Sequence, residues 1–267
     1  MKLKRMAAVT LGMILAFSTT AYANDADAVA VYQEMEAVSK TTTDMDCYYD
    51  FATKVDDGET PINARLEMNM KGNHLTDPAQ IRFNNYMRMT MAMPGAFEPG
   101  EEAQDLVLTG STYYENGMYY IDMMGNKTKT EAPLAEVMET IQSATGFTGT
   151  SLEYIQNLKL RTEGTDRILT FTMDAAKMNE LLGQLMGMNA MSELTKNTAS
   201  VSYRDLSGEY IIDQRGYCTK AKLKMTMDMA IEDQSITMEL DGDIGYANPG
   251  QPVEFATPNL AEYVKVE

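Results

Sequence analysis

Hydrophobic and polar residues alternate with a period of two over most of this chain, and the period becomes helical in only a few stretches. The alternating runs "DMDCYYDFATKV", "ARLEMNMKG", "IRFNNYMRMTMAM" and "QDLVLTGSTYYENGMYYIDMM" predict successive strands, separated by "DDGETP", "NHLTDPAQ" and "PGAFEPGEE". Asn116-Gly117, between two tyrosine-rich runs, is a type I′ hairpin signal, because both central residues of that turn need positive φ. Later runs, "LKLRTEG", "RILTFTM", "ASVSYRDLSGEYIID", "CTKAKLKMTMDMAIE" and "QSITMELDGDIGY", continue the strand pattern. After Pro249 and Pro252 the tail predicts one short edge strand and a terminal turn of helix. Helical spacing marks Asp25 to about Thr42, with Val29, Val31, Tyr32, Met35 and Val38 on one stripe behind an Asp-rich start. It recurs in "EAPLAEVMETIQSA", in a short stretch after Ser151 ("SLEYIQNL"), and in "DAAKMNELLGQLMGM" behind the capping Asp174.

The alternation sorts the methionines onto one side. Leu66, Met68 and Met70 share a face against Arg65, Glu67, Asn69 and Lys71. Leu223, Met225, Met227, Met229 and Ile231 oppose Lys222, Lys224, Thr226 and Asp228. Phe83, the Met87, Met89, Met91 and Met93 ladder, and Ile236, Met238 and Leu240 extend the same pattern. The expected product is an α+β fold: a large antiparallel sheet, apolar on one face and solvated on the other. A sheet this wide twists and curls around the helices available to cover it, giving an unclosed half β-barrel with helices packed into its concave face. Its apolar face must be covered by the protein or by a guest.

Composition adds compartment and charge. The start, "MKLKRMAAVTLGMILAFSTTAYANDA", has three cations, an apolar run from Met6 to Phe17 and the triplet Ala21-Tyr22-Ala23. This is the layout of a signal peptide over residues 1–23, leaving 24–267 as a single secreted domain. The apolar run is shorter than the roughly 20 residues a spanning helix needs. No cysteine stands at the cleavage point to accept lipid, so no permanent membrane anchor is expected. The formal charge is −17, and removing Lys2, Lys4 and Arg5 takes it to −20. Such a body repels phosphate backbones and anionic headgroups, which argues against nucleic acid and leaves lipid tails, other apolar molecules or a protein as partners. Strand parity opposes a bond between the two cysteines: Cys47 shares a face with Met45, Tyr49 and Phe51, whereas Cys218 aligns with Lys220, Lys222 and Lys224 unless a bulge intervenes.

Candidate chemistry is sparse. G-x-S-x-G, H-E-x-x-H, P-loop and Cys-x-x-Cys patterns are all absent from the sequence, and the single histidine, His74, falls in a predicted turn. Glu101-Glu102 belongs to a Pro/Gly-containing loop, so no enzyme, cofactor or metal site is assigned. Thioethers select Cu(I), which keeps copper as a minor alternative for "MRMTMAM", although same-face neighbours on one strand stand about 6.6 to 6.8 Å apart. Three readings of the methionine face remain open: ordinary core, lining of a site for an apolar ligand, or thioether ladder. Its candidate ligand-binding residues are Leu66, Met68, Met70, Phe83, Met87, Met89, Met91, Leu223, Met225, Met227, Met229 and Met238.

The order of elements, with "YYENGMYYIDMMGNKTK", "GYCTKAKLKMTMDM" and "YANPGQPVEFATPNLAEY", resembles the LolA/LppX-like superfamily of bacterial lipoprotein and lipid carriers, and within it a secreted Gram-positive branch. The resemblance implies an unclosed barrel closed over by helices, with acyl chains or lipidated proteins held in the concave apolar cavity. The alternative is the same fold kept as an extracytoplasmic interaction or structural module with a filled core.

Overall fold

The computed structural model describes residues 25–56, 58, 61–77, 79–93, 104–132, 152–179, 198–231 and 234–266. The leader expected over 1–23 and the helix expected in "EAPLAEVMETIQSA" lie outside these residues. So does most of the helix expected in "DAAKMNELLGQLMGM".

Helix α1 (Ala26–Lys40) begins where Asp25 accepts a hydrogen bond from the Asp27 N–H at 2.9 Å, satisfying one of the free amides of the first turn. Its buried stripe is Ala28, Tyr32 and Met35, so the small Ala28, rather than Val29, marks the line of closest packing. A second helix, α2, opens at residues 175–179, where Asp174 accepts from the N–H groups of Ala176 and Lys177.

The strands are β1 (Met45–Asp56), β2 (Ile62–Asn73), β3 (Arg82–Met93), β4 (Gln104–Glu115), β5 (Met118–Met123), β6 (Asn126–Glu131), β7 (Ile155–Glu163), β8 (Asp166–Met173), β9 (Thr198–Ile212), β10 (Cys218–Ile231), β11 (Gln234–Tyr246) and β12 (Val264–Lys265). They form one 12-stranded sheet in the order β12-β6-β5-β4-β3-β2-β1-β11-β10-β9-β8-β7. Two antiparallel meanders, β1 to β6 and β7 to β11, are thus joined where β11 pairs with β1. The sheet is curved and unclosed, an open half-barrel, as the alternation predicts. Asn116 and Gly117 have φ of 52° and 77°, the conformation required of the β4–β5 hairpin.

Three local expectations are corrected. The stretch after Ser151 is not a helix: a turn with the Ile155 N–H on Leu152 O leads directly into β7, and Asn157 adopts φ 54° at a bulge between Gln156 and Lys159. Pairing of Ile155 with Met173 extracts more from this segment than one short helical turn would. In the tail, the helical turn Leu260–Glu262 comes first and the edge strand β12 after it, running parallel to β6. The parity argument for the cysteines also fails. A register shift between Cys218 and Lys220 turns Cys218 inward, so both cysteines are buried in the same core. They are free thiols for another reason: β11 lies between their strands, and two strand spacings of about 4.8 Å exceed the roughly 7 Å Cα limit for a disulfide.

The tail also does something the sequence pattern did not predict. From Tyr246 it crosses the outer face of the first meander to its far edge. The Val253 N–H donates to Asp44 at 2.9 Å, Phe255 meets Tyr113, Thr257 hydrogen-bonds Arg82 at 3.0 Å, and Tyr263 packs edge-on against Tyr120. β12 then pairs with β6, covering the backbone edge left open there.

Candidate functional site

The inner face is built by alternation alone. Along β1 the buried positions are Met45, Cys47, Tyr49, Phe51, Thr53 and Val55, each followed by a more exposed residue. Cross-strand register assembles these into lateral rows. One runs Ile244, Tyr49, Met68, Met87 and Gly110; the next, Gly242, Phe51, Leu66, Met89 and Leu108; a third, Leu240, Thr53, Ala64, Met91 and Leu106. On the other side of β11, Met225 faces Leu240, Met227 faces Met238 and Met229 faces Ile236.

All twelve sequence-designated residues therefore lie on one side of the sheet, with Met68 directly opposite Met87. Leu66, Phe83, Met89, Met91, Met225, Met227 and Met238 are buried, whereas Met68, Met70, Met87 and Met229 are partly buried against the same core and Leu223 is half-buried. The side chain of Met93 lies outside the described residues. Phe83 belongs to an aromatic cluster at one end of the face, stacked on Tyr114 at 5.4 Å and edge-on to Tyr119 at 5.7 Å. Sequence reasoning missed the contribution of β1, whose Tyr49, Phe51 and Thr53 join the two methionine groups. The same period-two pattern was present in "DMDCYYDFATKV", but without methionine to draw attention to it.

The electrostatics of the two faces differ sharply. Among the described side chains of β1–β5, β10 and β11, none directed to the inner face is charged. The outer face carries ion pairs between neighbouring strands: Arg65 with Asp50 at 2.6 Å, Lys71 with Asp46 at 2.8 Å, Lys220 with Asp243 at 2.8 Å and Lys224 with Asp241 at 2.9 Å. Hydrogen bonding to Arg65 holds the Asp50 carboxyl below its ordinary range. Two open clefts, of about 340 and 390 Å³, lie on this outer side, and their linings include Lys54, Asp56, Thr237 and Glu239.

The thiols and phenols beneath the first helix and along β1, β10 and β11 are held neutral. Burial pushes the thiols of Cys47 and Cys218 up to about 12 and raises the Tyr49 and Tyr246 phenols well above their ordinary value. Such groups offer neither a ready nucleophile nor a poised base at neutral pH. Among the described residues no group of three or more His, Cys, Asp or Glu side chains is placed to hold a metal ion, and no helix is long and apolar enough to cross a membrane. His74 sits with φ 55° in the exposed turn after β2.

No curated protein matches the chain. Among solved structures it is similar to LprF from Mycobacterium bovis, at 12% identity and a TM-score of 0.37, over 88% of this chain and 98% of that one. It is also similar to the lipoprotein LppX from Mycobacterium tuberculosis, at 12% identity and a TM-score of 0.38, over 86% and 98%. A domain from Vibrio parahaemolyticus described as an outer membrane lipoprotein-sorting protein aligns at 8% identity and a TM-score of 0.25, over 82% and 92%. The family match is more direct, covering residues 27–259, and by it this chain belongs to the family of unknown function DUF6612.

Proposed function

We propose that this protein is a secreted, non-enzymatic binding protein that holds a hydrophobic or lipidic ligand against its methionine-rich inner face. The observation that carries the reading is the chemistry of that face: Met68 meets Met87 across β2 and β3, Met227 meets Met238 across β10 and β11, and Met89 and Met225 extend these two groups in an uncharged stretch of the sheet. Flexible, polarizable thioethers repack around guests of irregular shape, which suits a carrier. Met68 and Met87 are the natural contact pair, because they face each other and are only partly buried. The test is native mass spectrometry and solvent extraction of the purified mature protein. The expected result is a co-purifying apolar molecule that is lost from Met87→Asp while the fold is retained.

A second reading, an extracytoplasmic interaction or structural module with a filled core, is favoured by one observation. Met89, Met91, Met225, Met227 and Met238 are already buried without any ligand. Recovery of a ligand-free protein whose inner face excludes apolar dyes would select this reading over the first.

A further inference from the structure

One lateral row of the inner face breaks its apolar character. Just inside the Phe83–Tyr114–Tyr119 cluster, register places Tyr246 on β11, Cys47 on β1, Met70 on β2, Asn85 on β3 and Thr112 on β4 side by side. Asn85 is the only amide among the described inner-face side chains of β1–β5, β10 and β11, and it follows immediately after the aromatic end. Its Oδ1 is shielded from solvent and has no hydrogen-bond partner among the described residues. The Tyr246 hydroxyl, in the same row, is likewise shielded and without a partner there. Buried polar atoms are nearly always paired, so two orphans aligned in one row of an otherwise apolar surface indicate a hydrogen-bonding group that belongs there.

Charge narrows what that group can be. Among the described inner-face side chains of β1–β5, β10 and β11 there is no cation for a carboxylate or phosphate and no anion for an ammonium, and Arg167 on β8 is already paired with Glu34 of α1, so an ionised head at this row would be desolvated without a counter-charge. Asn85 and Tyr246 stand three strands apart, roughly 14 Å at about 4.8 Å per strand, so no single hydroxyl reaches both: one hydroxyl can donate to the amide oxygen of Asn85, and a second can donate to or accept from the phenol of Tyr246. The rows on the side away from the aromatic cluster, through Met68 and Met87 and then Leu66 and Met89, are apolar apart from the phenol of Tyr49, which is hydrogen-bonded with Cys47.

Building on the binding function proposed above, we infer that the ligand is an uncharged amphiphile whose head carries hydroxyls and lies along the Asn85–Tyr246 row, one of them on the Asn85 amide oxygen, with its hydrocarbon body along the methionine rows. This assigns the ligand a polarity and a direction. The head lies toward Phe83 and Tyr114, and the chain runs toward Met91.

The test uses displacement of the apolar dye N-phenyl-1-naphthylamine from the delipidated mature protein by two probes of equal chain length, 1-dodecanol and ionised dodecanoate. Dodecanol is expected to displace the dye at about tenfold lower concentration than dodecanoate, and Asn85→Leu is expected to abolish that preference. Tyr246→Phe serves as the second variant: three strands from Asn85, it should leave the preference for dodecanol in place while raising the thermal midpoint of the free protein, because it removes an unpaired buried hydroxyl. A purely structural hydroxyl would lower the midpoint instead. If dye and both probes fail to bind, the binding function itself falls and the inference with it. If both probes bind equally in the parent and in Asn85→Leu, the binding function stands and the headgroup assignment is overturned. If both variants lose stability with no change in probe preference, the row holds buried water only, and the assignment is again overturned.

Discussion

The ring of Phe171 lies across Gly208 on the neighbouring strand, so that a Cβ built on the glycine would stand 2.2 Å from the ring's Cζ. The ring cannot easily move aside, because Tyr210 stacks on it at 4.9 Å. Phe51 covers Gly242 in the same way, at 2.4 Å from Cδ1. Each glycine lets a large aromatic fill a space that two facing side chains could not share. Gly208→Ala should therefore destabilise the protein by about 1 to 3 kcal/mol, the usual range for overpacking a core. Combining it with Phe171→Leu should cost less than the sum of the single changes, which chemical denaturation of the four proteins in the cycle would measure.

Glu209 should contribute to the acid limb of stability. Burial raises its pKa, but hydrogen bonds from Lys222 and Arg161, both to the carboxylate on β9, outweigh this and leave it lowered. A carboxyl whose folded pKa is depressed stabilises the fold above its unfolded pKa, about 4.3 for glutamate, and loses that contribution as pH falls through the lower folded value. Urea midpoints measured from pH 7 downwards should decline more steeply below about pH 4.3 in the parent than in Glu209→Gln. The two curves should run parallel above pH 6.

The parts of this fold governed by a single period were legible before the structure. In "NNYMRMTMAM" the pattern gave both the strand and the face on which Met87, Met89 and Met91 lie, because side chains two residues apart must point the same way. What escaped were the places where local pattern yields to a distant partner. The bulge that turns Cys218 inward arises in the pairing of β10 with β9, which residues 218 to 224 alone do not encode. The strand at "NKTKTE" has little hydrophobic signal of its own and is held between β5 and β12. Asn85 stands out only in the folded sheet, because polarity at one position of a strand has meaning only beside its neighbours in the row, Met70 and Thr112.

The C-terminal crossing should be worth a measurable share of stability, with Arg82 as its fastening point. Its guanidinium donates to the Tyr113 hydroxyl at 3.0 and 3.2 Å and to Thr257 at 3.0 Å, pairs with Glu115 at 3.2 Å, and lies 5.3 Å from the centre of the Phe255 ring. Arg82→Met keeps much of the aliphatic packing and loses these polar links. A loss of about 1 to 3 kcal/mol is expected from the hydrogen bonds to a charged group, while the Tyr113 hydroxyl keeps its bond with Thr257 at 3.1 Å. Because Phe255 shares the site, Arg82→Met and Phe255→Ala should couple by more than about 0.5 kcal/mol in a double-mutant cycle. Additive losses would show that the tail is held elsewhere along its path.

Cys47 and Cys218 should behave as paired in burial but unpaired in chemistry. Desolvation keeps each thiol protonated, up to about 12, and each side chain is almost wholly removed from solvent. The thiolate is the reactive species, so at pH 8 the folded protein should resist 5,5′-dithiobis(2-nitrobenzoate) over hours, and two thiols should titrate promptly in guanidinium chloride. The intervening strand β11 places Tyr246 opposite Cys47 and keeps the cysteines apart, so exposure of the folded protein to a mild oxidant such as oxidised glutathione should leave that count at two. A count of zero after such treatment, with mass unchanged apart from two hydrogens, would mean that the sheet opens between β1 and β10 far enough to let them meet.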